Sequence, residues 1–398
     1  MEYHISEPMS KISPSAIREI LKYSSDPEVV PFSAGNPAPE AFPVDRIAEI
    51  SARILREQPI TALQYGATEG YTPLRDYLVR YLKEFHGIAT EGDNLIITSG
   101  AQQIMELLAK SLCDRGDVVI TEDPSFIGSL NSFRSLGVRL VGVPVQPDGM
   151  DMDKLEQTLQ TNPNARFIYT IPNFQNPTGV TMSSEKRQRL YALAKQYGVM
   201  ILEDNPYGDL RFAGETIPTV KSLDTDGIVV YAGSFSKVLA PGIRVGFAVG
   251  PDPVVRKMTV AKQGEDVHTN MWAQMITYEF LQEGFPEHLE RLRAIYRKKA
   301  ELMMQLCDKY LVPQGITYLP VEGGLFLWAT LPDGVDMPRF CTEAVRDRKV
   351  AFVPGTAFSV DPSVPCQSFR LNYSTPTDEA MLRGMAILGD FAADFLKG

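Results

Sequence analysis

Cysteine and histidine are scarce, four of each in 398 residues. Cys113, Cys307, Cys341 and Cys366 show no CxxC spacing and the histidines form no HExxH. Neither a zinc centre nor a disulfide framework is therefore indicated, and a reducing compartment fits. Also missing is any run of the ~18 uninterrupted apolar residues that a membrane-spanning helix needs. The opening MEYHISEPMSKISPS has neither the apolar centre of a signal peptide nor the Arg-rich face of a transit peptide, so a cytoplasmic protein is expected. Positive charge is not in excess: 39 Lys+Arg against 49 Asp+Glu leave a net charge of −10. That balance gives no support for nucleic acid or an anionic membrane as a partner.

What is present is ordinary globular material. Hydrophobic residues make up 44% and charged residues 22%, close to the ~45–50% and ~25% of soluble domains. At ~150 residues per domain the length suggests two or three. Residues 1–45 are proline-rich and irregular, except that Ile17, Ile20 and Leu21 in PSAIREILKYS form one apolar helical face; this reads as an arm. From about 46 to 285, short β-branched runs (NLIIT, DVVIT, VRLVGVPV, ARFIYT, VMILE, IVVYAG, RVGFAVG) alternate with helical patterns. Continuous apolar strands separated by helices predict a mostly parallel sheet covered on both faces. After the charged helical stretch HLERLRAIYRKKAELMMQL the pattern changes to isolated strands and helices: GGLFLWATLP, MPRFCTEAVRDRK, VAFVPG, SFRLNYS. Residues 286–398 are expected to form a smaller α+β domain, joined by the arm.

In an open parallel sheet, ligands bind beyond the carboxyl ends of the strands. The polar residues that follow each apolar run form a coherent set. Ser99-Gly100-Ala101-Gln102 follow NLIIT, Asn176 follows ARFIYTIPN, Asp204 and Tyr207 follow VMILE, and Ser234, Ser236, Lys237 and Arg244 follow IVVYAG. Small residues ahead of a helix expose backbone N–H groups and the positive end of its dipole; hydroxyls add donors and a guanidinium adds charge. Together they describe a phosphate cup, although any one of them alone reads equally as a helix cap or a surface serine. Lys237 sits between that cup and the sheet, where burial and a neighbouring arginine make an amine nucleophilic toward an aldehyde. Asp204, at the mouth of a buried strand, needs a cationic or N–H partner, and a protonated pyridine nitrogen would serve. Phosphate, Schiff-base lysine and pyridinium partner together point to pyridoxal 5′-phosphate.

The motifs SGAQQ (99–103), NPTG (176–179), EDNPY (203–207), SFSKVLAPGIRVG (234–246) and FRLNY (369–373) occur in the order found in the class I/II aminotransferases, which this chain resembles over nearly its whole length. The resemblance implies the aspartate-aminotransferase-like fold (pyridoxal-phosphate fold type I), with a mostly parallel seven-stranded sheet in the large domain. It also implies residue roles. Lys237 would carry the Schiff base and shuttle the proton, and Asp204 would pair with the pyridine nitrogen. Asn176 and Tyr207 would bind the cofactor's phenolic oxygen. Ser99, Gly100, Ala101, Gln102, Ser234, Ser236 and Arg244 would hold the phosphate, Phe126 would stack on the ring, and Arg370 would take the substrate α-carboxylate. Tyr65, in LQYG, matches a tyrosine that reaches the partner subunit's phosphate, which implies a homodimer with shared active sites.

The arm KISPSAIREI, the opening SAGNPAPEAFP and the LAPGIRVG spacing are similar to the 2-aminoadipate and kynurenine aminotransferase branch. There Arg18 would meet a distal carboxylate or gate the site, and the Gly35 backbone would lie near the substrate. The implied reaction is transfer of the amino group of an L-amino acid to a 2-oxo acid, 2-oxoglutarate foremost. Two rivals share the motifs. One is a pyridoxal-phosphate lyase or decarboxylase on the same scaffold. The other is a cofactor-sensing transcription regulator, which carries a winged-helix module ahead of these motifs; SAGNPAPEAFP starts here at residue 33.

Overall fold

The structure, a computed structural model, describes residues 3–10, 12, 26, 28–88 and 91–397. The arm helix expected around Arg18 lies outside them. The first strand, β1 (Val30–Pro31), belongs to the arm. There follow β2 (Asp93–Thr98), β3 (Val118–Asp123), β4 (Arg139–Gln146), β5 (Gly149–Met150), β6 (Ala165–Thr170), β7 (Met200–Asn205), β8 (Val229–Ser234) and β9 (Gly246–Pro251). They form one sheet in the order β2-β9-β8-β7-β6-β3-β4-β5. The run from β8 to β4 is parallel; β9 is antiparallel to both β2 and β8. Seven strands are long, as expected, and the eighth, β5, is a two-residue return antiparallel to β4.

The period of two explains how both faces of this sheet are buried. Val118, Ile120, Ile168, Ile201 and Val229 pack on one side with Met152, Leu155 and Leu190. Their neighbours Val119, Phe167, Tyr169, Leu202 and Val230 pack on the other with Ile104, Leu107 and Leu108. Helices Met152–Thr161 and Ser184–Tyr197 thus cover one face and Ala101–Leu112 the other, which leaves little of any central strand polar until its carboxyl end.

A 26-residue helix, Phe285–Tyr310, follows, about 39 Å long at 1.5 Å per residue. Its buried stripe of Leu289, Leu292, Tyr296, Met303 and Leu306 has the helical spacing. Beyond it lie β10 (Thr317–Tyr318), β11 (Phe326–Thr330), β12 (Val350–Ala351), β13 (Val353–Pro354) and β14 (Ser368–Asn372). Four of these make an antiparallel sheet, β10-β11-β14-β13. VAFVPG is split: β12 leaves that sheet to pair in parallel with β1, Val30 opposite Val350 and Pro31 opposite Ala351. No helix among the described residues is long and apolar enough to cross a membrane.

Candidate active site

The carboxyl ends of β6, β7 and β8 open on a cavity of about 490 Å³. Ala101, Gln102, Phe126, Asn176, Asp204, Tyr207, Ser234, Ser236, Lys237, Arg244, Arg370 and Gly35 all line it. Residues from opposite ends of the sequence are brought together because β14 presents Arg370 from one side while β7 and β8 present Asp204 and Ser234 from the other.

Register sets the cup. Ser234 of β8 and Thr98 of β2 both face Gly246 of β9. A Cβ on Gly246 would lie 2.8 Å from the Ala101 nitrogen and 3.0 Å from the Gly233 carbonyl, so only glycine lets the loop 99–101 sit so close. Gly100 has φ +81°, and a Cβ there would come within 2.2 Å of the Arg244 guanidinium. Glycine at 100 therefore makes room for the arginine and also caps the helix Ala101–Leu112, which has no side-chain cap. That leaves its first N–H groups free at the positive end of the dipole. Arg244, itself left-handed at φ +53°, donates to Ser236 Oγ (3.4 Å) and to the Ser99 carbonyl (3.2 Å). Ser234 Oγ accepts from the Ser236 N–H at 3.2 Å.

Ser99 departs from the expectation of a donor in the cup. Its hydroxyl donates to Asp266 Oδ2 at 2.6 Å and its N–H to Gln103 Oε1 at 2.9 Å. The reason lies behind the cup, where the fully buried Lys262 needs an anion and holds Asp266 at 2.7 Å; Asp266 in turn draws in the Ser99 hydroxyl. Gln102 likewise spends its side-chain amide on the Gly128 carbonyl and Ser132 Oγ, which leaves its backbone N–H as the group available to an anion.

Lys237 Nζ donates to the Gly35 carbonyl at 2.8 Å. Burial, then the charges of Arg370 and Arg244, pull the amine down to about 8. Asp204 is buried with its Oδ2 accepting from the Tyr169 hydroxyl at 2.8 Å, while its Oδ1 has no partner among the described residues. Burial pushes this carboxyl up to about 7, against the pull of the Tyr169 hydrogen bond. A buried carboxylate oxygen without a donor is costly, and Asp204 lines the same cavity as Lys237. A protonated ring nitrogen is the kind of donor it lacks, so the residues present fit pyridoxal phosphate.

Arg370 is a buried cation with no carboxylate partner among the described residues. Nη1 donates to Asn176 Oδ1 (2.9 Å), and Nη2 to the carbonyls of Ser33 (3.0 Å) and Ala34 (3.3 Å). Its guanidinium stacks on Phe326 at 4.2 Å and Phe358 at 4.9 Å. Burial lowers it to about 10, so it keeps its charge at neutral pH. Asn176 Nδ2 is 3.5 Å from the Tyr207 hydroxyl, which burial raises well above the usual phenol range, opposed by Arg370.

Tyr65 does not line the cavity; it is 80% exposed and meets His268 edge-on at 5.8 Å. Sequence reasoning missed Tyr169 and Ser129 beneath Asp204, and the Lys262–Asp266 pair behind the cup. It also missed the buried Glu122, whose oxygens accept from Thr170 Oγ1, the Ile171 N–H and Gln175 Nε2. Tyr169 lay hidden inside an apolar run. For Lys262 and Asp266 the i, i+4 spacing on a helical pattern was the available signal.

The family model for class I and II aminotransferases matches residues 27–388. The 2-aminoadipate transaminase of Thermus thermophilus is 40% identical over 382 residues, 95% of this chain and 94% of that protein. Aromatic-amino-acid aminotransferase 1 of Thermococcus litoralis is 36% identical over 100% of this chain and 95% of its own. The crystal structure of the alpha-aminoadipate aminotransferase of Thermus thermophilus, complexed with N-(5′-phosphopyridoxyl)-L-leucine, superposes with a TM-score of 0.90. It covers 99% of this chain and 98% of its own at 39% identity. The family model, the relatives and the superposition agree: the chain belongs to the class I and II aminotransferases and is a pyridoxal-phosphate-dependent transaminase of aspartate-aminotransferase-like fold.

Proposed function

We propose that the cavity at the ends of β6–β8 transfers the amino group of an L-amino acid to 2-oxoglutarate, with Lys237 as the tethering amine and proton carrier. The observation that carries this reading is the convergence of Lys237, Asp204 and Arg370 on one cavity. Bound pyridoxal phosphate supplies an electron-withdrawing ring conjugated to the donor's nitrogen, which makes the donor's α-proton acidic. Ser236, Arg244 and the free N–H groups of Ala101 and Gln102 anchor its phosphate. Asp204 Oδ1 would accept from its ring nitrogen, Asn176 and Tyr207 would hold the phenolic edge, and Phe126 would cover the face.

Arg370 takes the α-carboxylate in its fork, exchanging the Ser33 and Ala34 carbonyls for an anion. That would orient the α-hydrogen toward Lys237, whose Nζ, once released from its tether, would take up that proton and hold it for return. In the cofactor-free protein the Gly35 carbonyl holds Nζ within the cavity, and we assign Arg18 to a distal group of the substrate. A lyase or decarboxylase outcome has no observation in its favour.

We further propose that the enzyme is a cytoplasmic homodimer. Ile60, Leu63, Tyr65 and Val267 are exposed apolar side chains, the kind of surface that a second copy covers. Residues 46–285 would form the cofactor-binding unit, and 286–398 with the arm 1–45 its cover. A donor panel settles the chemistry. Aromatic, branched-chain, 2-aminoadipate and glutamate donors should each bleach the visible band of the holoenzyme, and 2-oxoglutarate should restore it. Lys237→Ala should lack that band in its resting state. Release of ammonia or CO₂ without restoration would replace this reading with the lyase one.

A further inference from the structure

The two oxygens of Asp204 are not equivalent. Oδ1 is open, whereas Oδ2 receives the Tyr169 hydroxyl at 2.8 Å. Tyr169 OH has a single proton, given to Asp204, so the Ser129 hydroxyl 2.8 Å away must donate into it. The direction of the chain is thereby fixed as Ser129 to Tyr169 to Asp204. All three residues are buried and sit on three elements: the helix Ile127–Ser135, β6 and β7. Of the buried carboxylates nearby, Glu122 is occupied by its own three donors and Glu203 by the Val220 and Lys221 N–H groups, so neither takes the tyrosine's proton.

We infer that Tyr169, braced by Ser129, is the positioning residue that fixes the rotamer of Asp204 and keeps it anionic, so that Oδ1 selects a ring nitrogen bearing a proton. The inference rests on the reading of Asp204 as the ring-nitrogen partner. A donated hydrogen bond favours the charged form of a carboxylate, and both Tyr169 and Asp204 are buried. Ser129 also lines the cavity next to Phe126, so the same chain ties the helix that starts behind that ring to the floor of the site.

The test compares how tightly the cofactor-free protein binds pyridoxal phosphate and the analogue whose ring nitrogen is replaced by C–H. In wild type the natural cofactor should bind more tightly, and Asp204→Ala should abolish the difference. If Asp204→Ala leaves it intact, the underlying reading fails. If Asp204→Ala abolishes it but Tyr169→Phe retains the full wild-type preference, that reading stands and the present inference falls. The expected result is that Tyr169→Phe cuts the preference about tenfold, that Ser129→Ala cuts it roughly two- to fivefold, and that the double variant is no worse than Tyr169→Phe alone. Full additivity of the two would also overturn the chain. Ser129→Ala removes one hydroxyl and keeps the test available should Tyr169→Phe fold poorly.

Discussion

Lys237 shows how burial and charge combine at one residue. Its amine is lowered to about 8 by desolvation first and by Arg370 and Arg244 second, so far more of it is neutral near physiological pH than of an ordinary lysine, though the protonated form still predominates. In the cofactor-free protein the folded amine holds its proton less tightly than the unfolded one. That favours the fold fully above about pH 10.5, and the benefit is lost as pH falls through about 8. The rate at which the cofactor-free enzyme takes up pyridoxal phosphate should therefore rise with pH and level off above about 8. Arg370→Gln should move the midpoint upward by removing the larger of the two charge effects. A wild-type midpoint near that of an ordinary lysine would sink the assignment. The same variant should lose most kcat/KM for amino acids, by about two orders of magnitude or more, because the buried charge-assisted pair it makes with a carboxylate is lost.

Among the elements, the loop 99–103 carries the cup, and it is held from behind more than from within. Lys262 is fully buried, bonds Gln103 Oε1 at 2.9 Å and Asp266 at 2.7 Å, and through Asp266 fixes the Ser99 hydroxyl. Asp266→Ala leaves a buried ammonium without its anion, a change that costs about 3–5 kcal/mol and frees the loop. Cofactor affinity should drop together with thermal stability. Lys262→Met with Asp266→Ala should recover stability but not affinity, a split that thermal melts and cofactor titration would read.

This element also marks how far the residues could be read in advance. SGAQQ announced a tight turn into a helix, and the β-branched runs announced the long strands, because each signal is local. The direction of the Ser99 side chain depends on Lys262, far along the chain, and the splitting of VAFVPG depends on the arm. Neither is written in a neighbouring residue. Tyr169 escaped for a related reason: within a strand, a buried tyrosine looks like any other apolar residue until its hydroxyl finds a partner.

At the scale of the molecule, Tyr65 is 80% exposed and does not line the cavity of its own chain. If it serves a partner's phosphate, Tyr65→Ala and Lys237→Ala should complement. In the mixed dimer one site carries both lesions and the other neither, so activity should appear on mixing two nearly inactive proteins. No recovery, with mixed dimers verified by mass, would place Tyr65 outside the site. Sedimentation should find two chains, and charged substitutions at Ile60 and Leu63 should shift it toward one.

The short ladder between β1 and β12 joins residues 30–31 to 350–351, and Arg370 grips the Ser33 and Ala34 carbonyls from near the other end of the sequence. During synthesis the arm must therefore wait for most of the polypeptide to leave the ribosome. Contacts of such span are made late, since loop closure precedes their reward. A nascent chain stopped before residue 350 could assemble much of the main sheet, yet it would lack both the grip on the carboxylate and the strand that secures the arm. Translation arrested at that point should yield a sheet without a catalyst.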